Sequence, residues 1–165
     1  FAGGVTRDLL VSRVPLALQS PTEIGLGLVG VGLAIGLNPA SSAPDSHPVT
    51  VVADAIGLGT FATTGAIVAA GAGVSAFGVV AIATINAVGG GVVADVLLDR
   101  APFVLFDGFY ASCAVLGGSV YWAAGAAGVD SGTAALLCAA VTIATRLAAV
   151  ALGWQLPTAQ QLGVR

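Results

Sequence analysis

Apolar positions in this chain gather into long blocks, not stripes. Such blocks lie at 22–38, 49–72, 76–98, 103–125 and 131–154, each close to the roughly 20 apolar residues a membrane-spanning helix needs. A short apolar stub, 1–10, precedes them. Between 38 and 48 the chain holds Pro39, Pro44 and Pro48 among Asn, Ser and Asp residues, which predicts an aqueous loop. Shorter connections are expected at Gly71–Ser75, Asp99–Pro102 and Gly125–Ser131. Pro157 sits in a polar tail that ends the last helix. The blocks show no alternation of the kind a β-barrel requires. The pattern therefore predicts an all-α polytopic membrane bundle with five full spans and one partial one.

Composition supports lipid as the solvent. Of 165 residues, 57% are hydrophobic and only 8% are charged, against about 25% charged in a typical soluble domain. The five bases are all arginines (Arg7, Arg13, Arg100, Arg146, Arg165), and the net charge is −3. No basic stripe grips phosphates, so nucleic acid is excluded as a partner; membrane lipid is the expected surrounding. Cys113 and Cys138 sit in apolar runs and read as buried thiols. Counting arginines on either side weakly places the C-terminus in the cytoplasm of a multi-pass protein in the cell (plasma or inner) membrane.

The chain also repeats itself. Residues 1–18 align without a gap to 88–105, with eight identities at an offset of 87: Gly3/Gly90, Gly4/Gly91, Val5/Val92, Asp8/Asp95, Leu10/Leu97, Arg13/Arg100, Pro15/Pro102 and Leu18/Leu105. Composition alone does not produce matched Asp, Arg and Pro. Three spans separate the copies, an odd number, so the copies are expected to cross the bilayer in opposite directions, as in many channels and transporters. The expected division is 1–38 as the remainder of a first repeat, 39–48 as a polar loop, 49–125 as a second three-helix repeat, 126–154 as an unpaired last span and 155–165 as a polar tail. The first copy lacks a counterpart for the helix that begins near Asp54. An upstream helix, about 35 residues or more, is expected.

Two segments carry a resemblance. Asp54-Ala-Ile-Gly-Leu-Gly-Thr-Phe-Ala-Thr-Thr-Gly65, followed by Ala87-Val-Gly-Gly-Gly-Val-Val-Ala-Asp-Val-Leu97 and Arg100-Ala-Pro102, resemble the prokaryotic trimeric intracellular cation (TRIC) channel family, also labelled UPF0126 or glycine transporter domain. The resemblance implies seven helices per protomer, a homotrimer, and one ion path per protomer flanked by glycine-broken helices. The sequence departs from the family's pattern at Ala94, where an Arg is expected before Asp95; the first copy keeps Arg7-Asp8.

The candidate ion-pathway residues are Gly89, Gly90, Gly91, Asp95, Gly3, Gly4, Arg7, Asp8, Asp54, Phe61 and Thr64. Each glycine inside a helix costs about 1 kcal/mol relative to Ala. Three together predict a break whose freed carbonyls face a cavity, the alternative being close packing. Packing is the preferred reading for Gly32 and Gly36. Asp95, deep in an apolar run, is expected to face the bundle interior and to pair with Arg7 across the repeats, because neighbours on a helix point apart. Snorkelling of the acids toward Arg13 and Arg100 is the alternative. Asp54 reads first as a helix-dipole partner. Phe61, Thr63 and Thr64 read as a constriction, or as threonines bonded to their own helix. Arg146 is expected to meet an acid or carbonyls in the bundle. Tyr110, Tyr121, Trp122 and Trp154 read as interfacial anchors.

His47 stands in the loop without a catalytic constellation, and no metal-ligand spacing, cofactor motif or activated nucleophile is present. No enzyme, metal or cofactor is expected. Three functions remain: a channel for monovalent cations, K+ by resemblance; a carrier of a small amino acid such as glycine; and a non-conducting assembly subunit.

Overall fold

The computed structural model describes residues 1–37, 48–106 and 109–154. The helices among them are α1 (Ala2–Leu10), α2 (Leu16–Gln19), α3 (Pro21–Leu37), α4 (Pro48–Gly71), α5 (Ala76–Leu97), α6 (Tyr110–Ala126) and α7 (Ser131–Leu152), with a 3-10 turn at Phe103–Leu105. The protein is an all-helical membrane bundle. By length and composition α4, α5 and α7 are able to cross a bilayer. α3 and α6 have 17 residues each, the lower bound for a span. His47, most of the 38–48 loop and the tail after Trp154 lie outside the described residues.

α4 is the centre, packed against α5, α6 and α7. Its buried positions, Ala55, Leu58, Gly59, Ala62, Gly65, Ala66 and Ala69, recur every three or four residues, as one face of a helix must. Those residues are small, and so are their partners. A Cβ at Gly65 would lie 2.8 Å from Ala83 of α5, and one at Gly59 would lie 2.7 Å from Ile143 of α7. One at Gly117 of α6 would strike the Thr142 hydroxyl of α7. In lipid, helices gain little from hydrophobic burial against each other, so close backbone approach and dispersion hold the bundle. Ser75 caps α5 by accepting from Gly78 N, and Asp130 caps α7 by accepting from Thr133 N at 2.9 Å. Gly153, with φ 63°, closes α7 in the left-handed conformation that glycine adopts without strain.

The two copies of the repeated stretch build the same turn. Asp8 Oδ2 accepts from Leu16 N at 3.0 Å, and Asp95 Oδ2 accepts from Phe103 N at 2.9 Å. The matched Ser12 and Asp99 have φ of 57° and 54°. Arg13 N and Arg100 N each donate 2.8 Å to the carbonyl of the repeat's Asp. This turn explains a departure from the expected helix at 103–125. Pro102 and the Asp95 carboxylate bend the chain into the 3-10 turn, and α6 begins only at Tyr110.

The expected break at Gly89–Gly91 is absent, since α5 runs uninterrupted from Ala76 to Leu97. α1 crosses α5 here: a Cβ at Gly89 would lie 3.0 Å from the Gly3 Cα, and one at Gly3 would run into the Asn86 carbonyl. Gly89 and Gly3 admit a neighbouring backbone, while Gly90 meets nothing within 4 Å and Gly91 meets the Phe103 ring. Gly32 and Gly36, read as packing residues, meet nothing within 4 Å in the protomer.

Candidate functional site

Three neighbouring cavities follow one face of α4. The first, about 340 Å³, is bordered by Asp54, Gly57, Phe61, Asn86, Gly90 and Tyr110, among others. The second, about 500 Å³, is bordered by Arg7, Asp8, Thr60, Phe61, Thr64 and Asn86. The third, about 530 Å³, takes in Arg7, Asp8, Arg13, Gln19 and Val68. The first two share Phe1, Gly4, Phe61 and Asn86; the second and third share Arg7, Asp8 and Leu16. On α4 the lining residues Asp54, Gly57, Phe61, Thr64 and Val68 follow helical spacing. At 1.5 Å per residue they cover about 21 Å of helix.

Each end holds an acid paired with an arginine. At one end the Tyr110 hydroxyl donates to Asp54 Oδ1 at 2.8 Å. Arg146 Nε donates to Asp54 Oδ2 at 3.3 Å, and its guanidinium lies 4.5 Å over the Tyr110 ring. At the other, Arg7 Nε donates to Asp8 Oδ1 at 2.8 Å. Asp8 is buried, so its charge is tolerable only because that guanidinium and the Leu16 amide satisfy it.

Between the ends lies Asn86, 3% exposed. Its Nδ2 donates to the Phe61 carbonyl at 2.6 Å and to Thr64 Oγ1 at 3.1 Å. Thr64 in turn donates within its own helix, to Thr60 or Phe61. Asn86 Oδ1 is buried and has no hydrogen-bond partner among the described residues.

Of the eleven residues singled out by sequence, nine border these cavities: Gly3, Gly4, Arg7, Asp8, Asp54, Phe61, Thr64, Gly90 and Gly91. Gly89 instead packs on α1, and Asp95 is occupied by its own turn. The expected Arg7–Asp95 pair is replaced by Arg7–Asp8. Asp8 lies at the end of α1, where its carboxylate turns toward the returning chain and the long Arg7 side chain curls back to meet it. Asp54 is drawn to Tyr110 and Arg146 through its side chain, not left to the helix dipole; Arg146 meets an acid, as expected. Tyr110 and Tyr121 are buried, unlike interfacial anchors, with their hydroxyls bonded to Asp54 and to Ser131 at the start of α7. Trp122 and Trp154 are exposed. Sequence reading missed Asn86; its one signal was an amide inside an apolar run.

These observations define a multi-pass helical membrane protein with polar groups along a row of half-open cavities. The profile of a family described as Glycine transporter matches residues 51–126. The UPF0126 inner membrane protein YadS of Escherichia coli K12 is 32% identical over 160 residues, covering 94% of this chain and 76% of that protein. A UPF0126 membrane protein of Deinococcus radiodurans is 32% identical over 123 residues, so the chain matches only 56% of that relative's length. A chain solved to establish the structural basis for conductance through TRIC cation channels superposes with a TM-score of 0.83 at 32% identity, covering 94% of this chain and 76% of that one. The trimeric intracellular cation channel orthologue from Rhodobacter sphaeroides gives 0.78 at 28% identity, with 92% and 78% covered. The chain belongs to the TRIC/UPF0126 family and is a multi-pass protein of the cell membrane.

Proposed function

We propose that the protein is a channel for monovalent cations, K+ among them, that works as a homotrimer with one path in each protomer. The observation that carries this reading is the row of cavities along α4, joined at Gly4, Phe61 and Asn86. Charged and amide side chains set along a groove between apolar helices are costly unless the groove holds water or ions. Asp54 and Asp8, the acids that border the row, are paired with Arg146 and Arg7. Paired in this way, the acids offer carboxylate oxygens to passing ions without forming the unscreened carboxylate rings that hold divalent ions tightly. The likeness to solved TRIC cation channels supports the same reading. Each protomer's two repeats, oppositely oriented, meet where α1 crosses α5.

The test is flux from full-length protein in liposomes, with K+, Na+ and glycine compared in parallel. Cation flux that rises linearly with the gradient is expected. Saturable glycine uptake with counterflow and no ion flux would establish a carrier instead, and oligomers without any flux would establish an assembly subunit.

A further inference from the structure

We infer that Asn86 is the residue that selects the permeating ion, its carbonyl oxygen replacing one water of a monovalent cation as the ion passes between the first and second cavities. This deepens the channel reading and rests on it. The amide's orientation follows from chemistry: the Phe61 carbonyl only accepts, and at 2.6 Å it requires Nδ2 as its partner. The other Nδ2 hydrogen goes to Thr64 Oγ1, whose own proton is spent on a carbonyl of α4. Two hydrogen bonds to α4 therefore hold Oδ1 in a fixed direction.

That oxygen has no hydrogen-bond partner among the described residues, although Asn86 is 3% exposed and borders both cavities. It faces Gly4, where a Cβ would lie 4.0 Å from it and 3.9 Å from Arg7 Nη2, so the missing side chain leaves room between the amide and the guanidinium. A buried acceptor without a donor is unfavourable unless a water or cation uses it. A single carbonyl-type oxygen, flanked by larger cavities in which the ion keeps the rest of its hydration, binds a cation weakly enough to let it leave, as conduction requires. The Phe61 ring, at the same junction, supplies the apolar wall.

The test compares full-length wild type with Asn86→Leu and Asn86→Asp in planar bilayers and liposomes. Asn86→Leu is expected to lower K+ flux at least about tenfold, with oligomer size retained. Asn86→Asp places a carboxylate at the junction and is expected to lower the Ca2+ concentration that half-blocks K+ current by about tenfold or more. This second readout does not depend on how Asn86→Leu folds and is not moved by a purely structural role. Ca2+ block unchanged in Asn86→Asp overturns the assignment while leaving the channel reading intact. A wild type that carries no K+ overturns the channel reading itself.

Discussion

The two copies of the repeated turn show how one local device serves two ends of a molecule differently. In both, an aspartate near a helix end accepts from the amide eight residues on, a residue with positive φ reverses the chain, and a proline starts the next element. The aspartate is first a turn-builder. Only the copy on α1 adds an arginine before it, and only that Asp is buried and borders cavities. In the α5 copy the preceding residue is the exposed Ala94, and Asp95 borders none of the cavities described. A repeated motif thus fixes the bend, while the residue that differs settles the electrostatics.

Substitutions at matched positions should separate these roles. The largest difference is expected between the two acids. Asp8→Ala leaves Arg7 without its partner inside the bundle and should cost about 3–5 kcal/mol. Asp95→Ala removes one partly exposed hydrogen bond and should cost about 0.5–1.5 kcal/mol. Melting temperatures in detergent check both; equal losses would mean that Arg7 draws nothing from Asp8. Next come the matched glycines. Gly3→Ala drives a methyl into the Asn86 carbonyl and should cost about 1–3 kcal/mol. Gly90→Ala meets open space and should be neutral or stabilise by up to about 1 kcal/mol. A Gly90→Ala variant that melts as low as Gly3→Ala would contradict the observed crossing of α1 on α5.

The smallest effect concerns an acid outside both copies. Thr133's side-chain and backbone hydrogen bonds hold the exposed Asp130 carboxyl below its usual value. A depressed folded value means that its contribution is present above the unfolded value of about 3.9 and is lost as pH falls through the folded one. The melting temperatures of wild type and Asp130→Asn should therefore converge as pH is lowered from about 6 to about 3. A gap that stays constant over that range would show that the cap does not depend on the charge.

The sequence made the helices legible because hydropathy blocks reflect the solvent directly, and it made the repeat legible because Asp, Arg and Pro recur at fixed spacing. It did not show what the repeated Asp does, since the amide it holds lies across a turn whose geometry no residue type announces. Glycine misled for a similar reason: Gly89–Gly91 reads first as a break and only second as a packing berth, and the deciding element, α1, lies more than half the chain away. Asn86 drew no notice because its partners Phe61 and Thr64 sit one helix earlier. Asp54 was found, but Tyr110 and Arg146 as its partners needed the packing of α4 against α6 and α7.

The most direct measurement uses single cysteines on α4 in the full-length protein with the buried Cys113 and Cys138 left in place. Thr64→Cys borders the second cavity, whereas Ile67→Cys, one turn further on at the edge of the same face, is exposed and borders none of the three. A charged, membrane-impermeant thiol reagent should abolish K+ flux through Thr64→Cys and leave flux through Ile67→Cys unchanged. Block at Ile67→Cys with none at Thr64→Cys would place the path outside the three cavities and contradict the account.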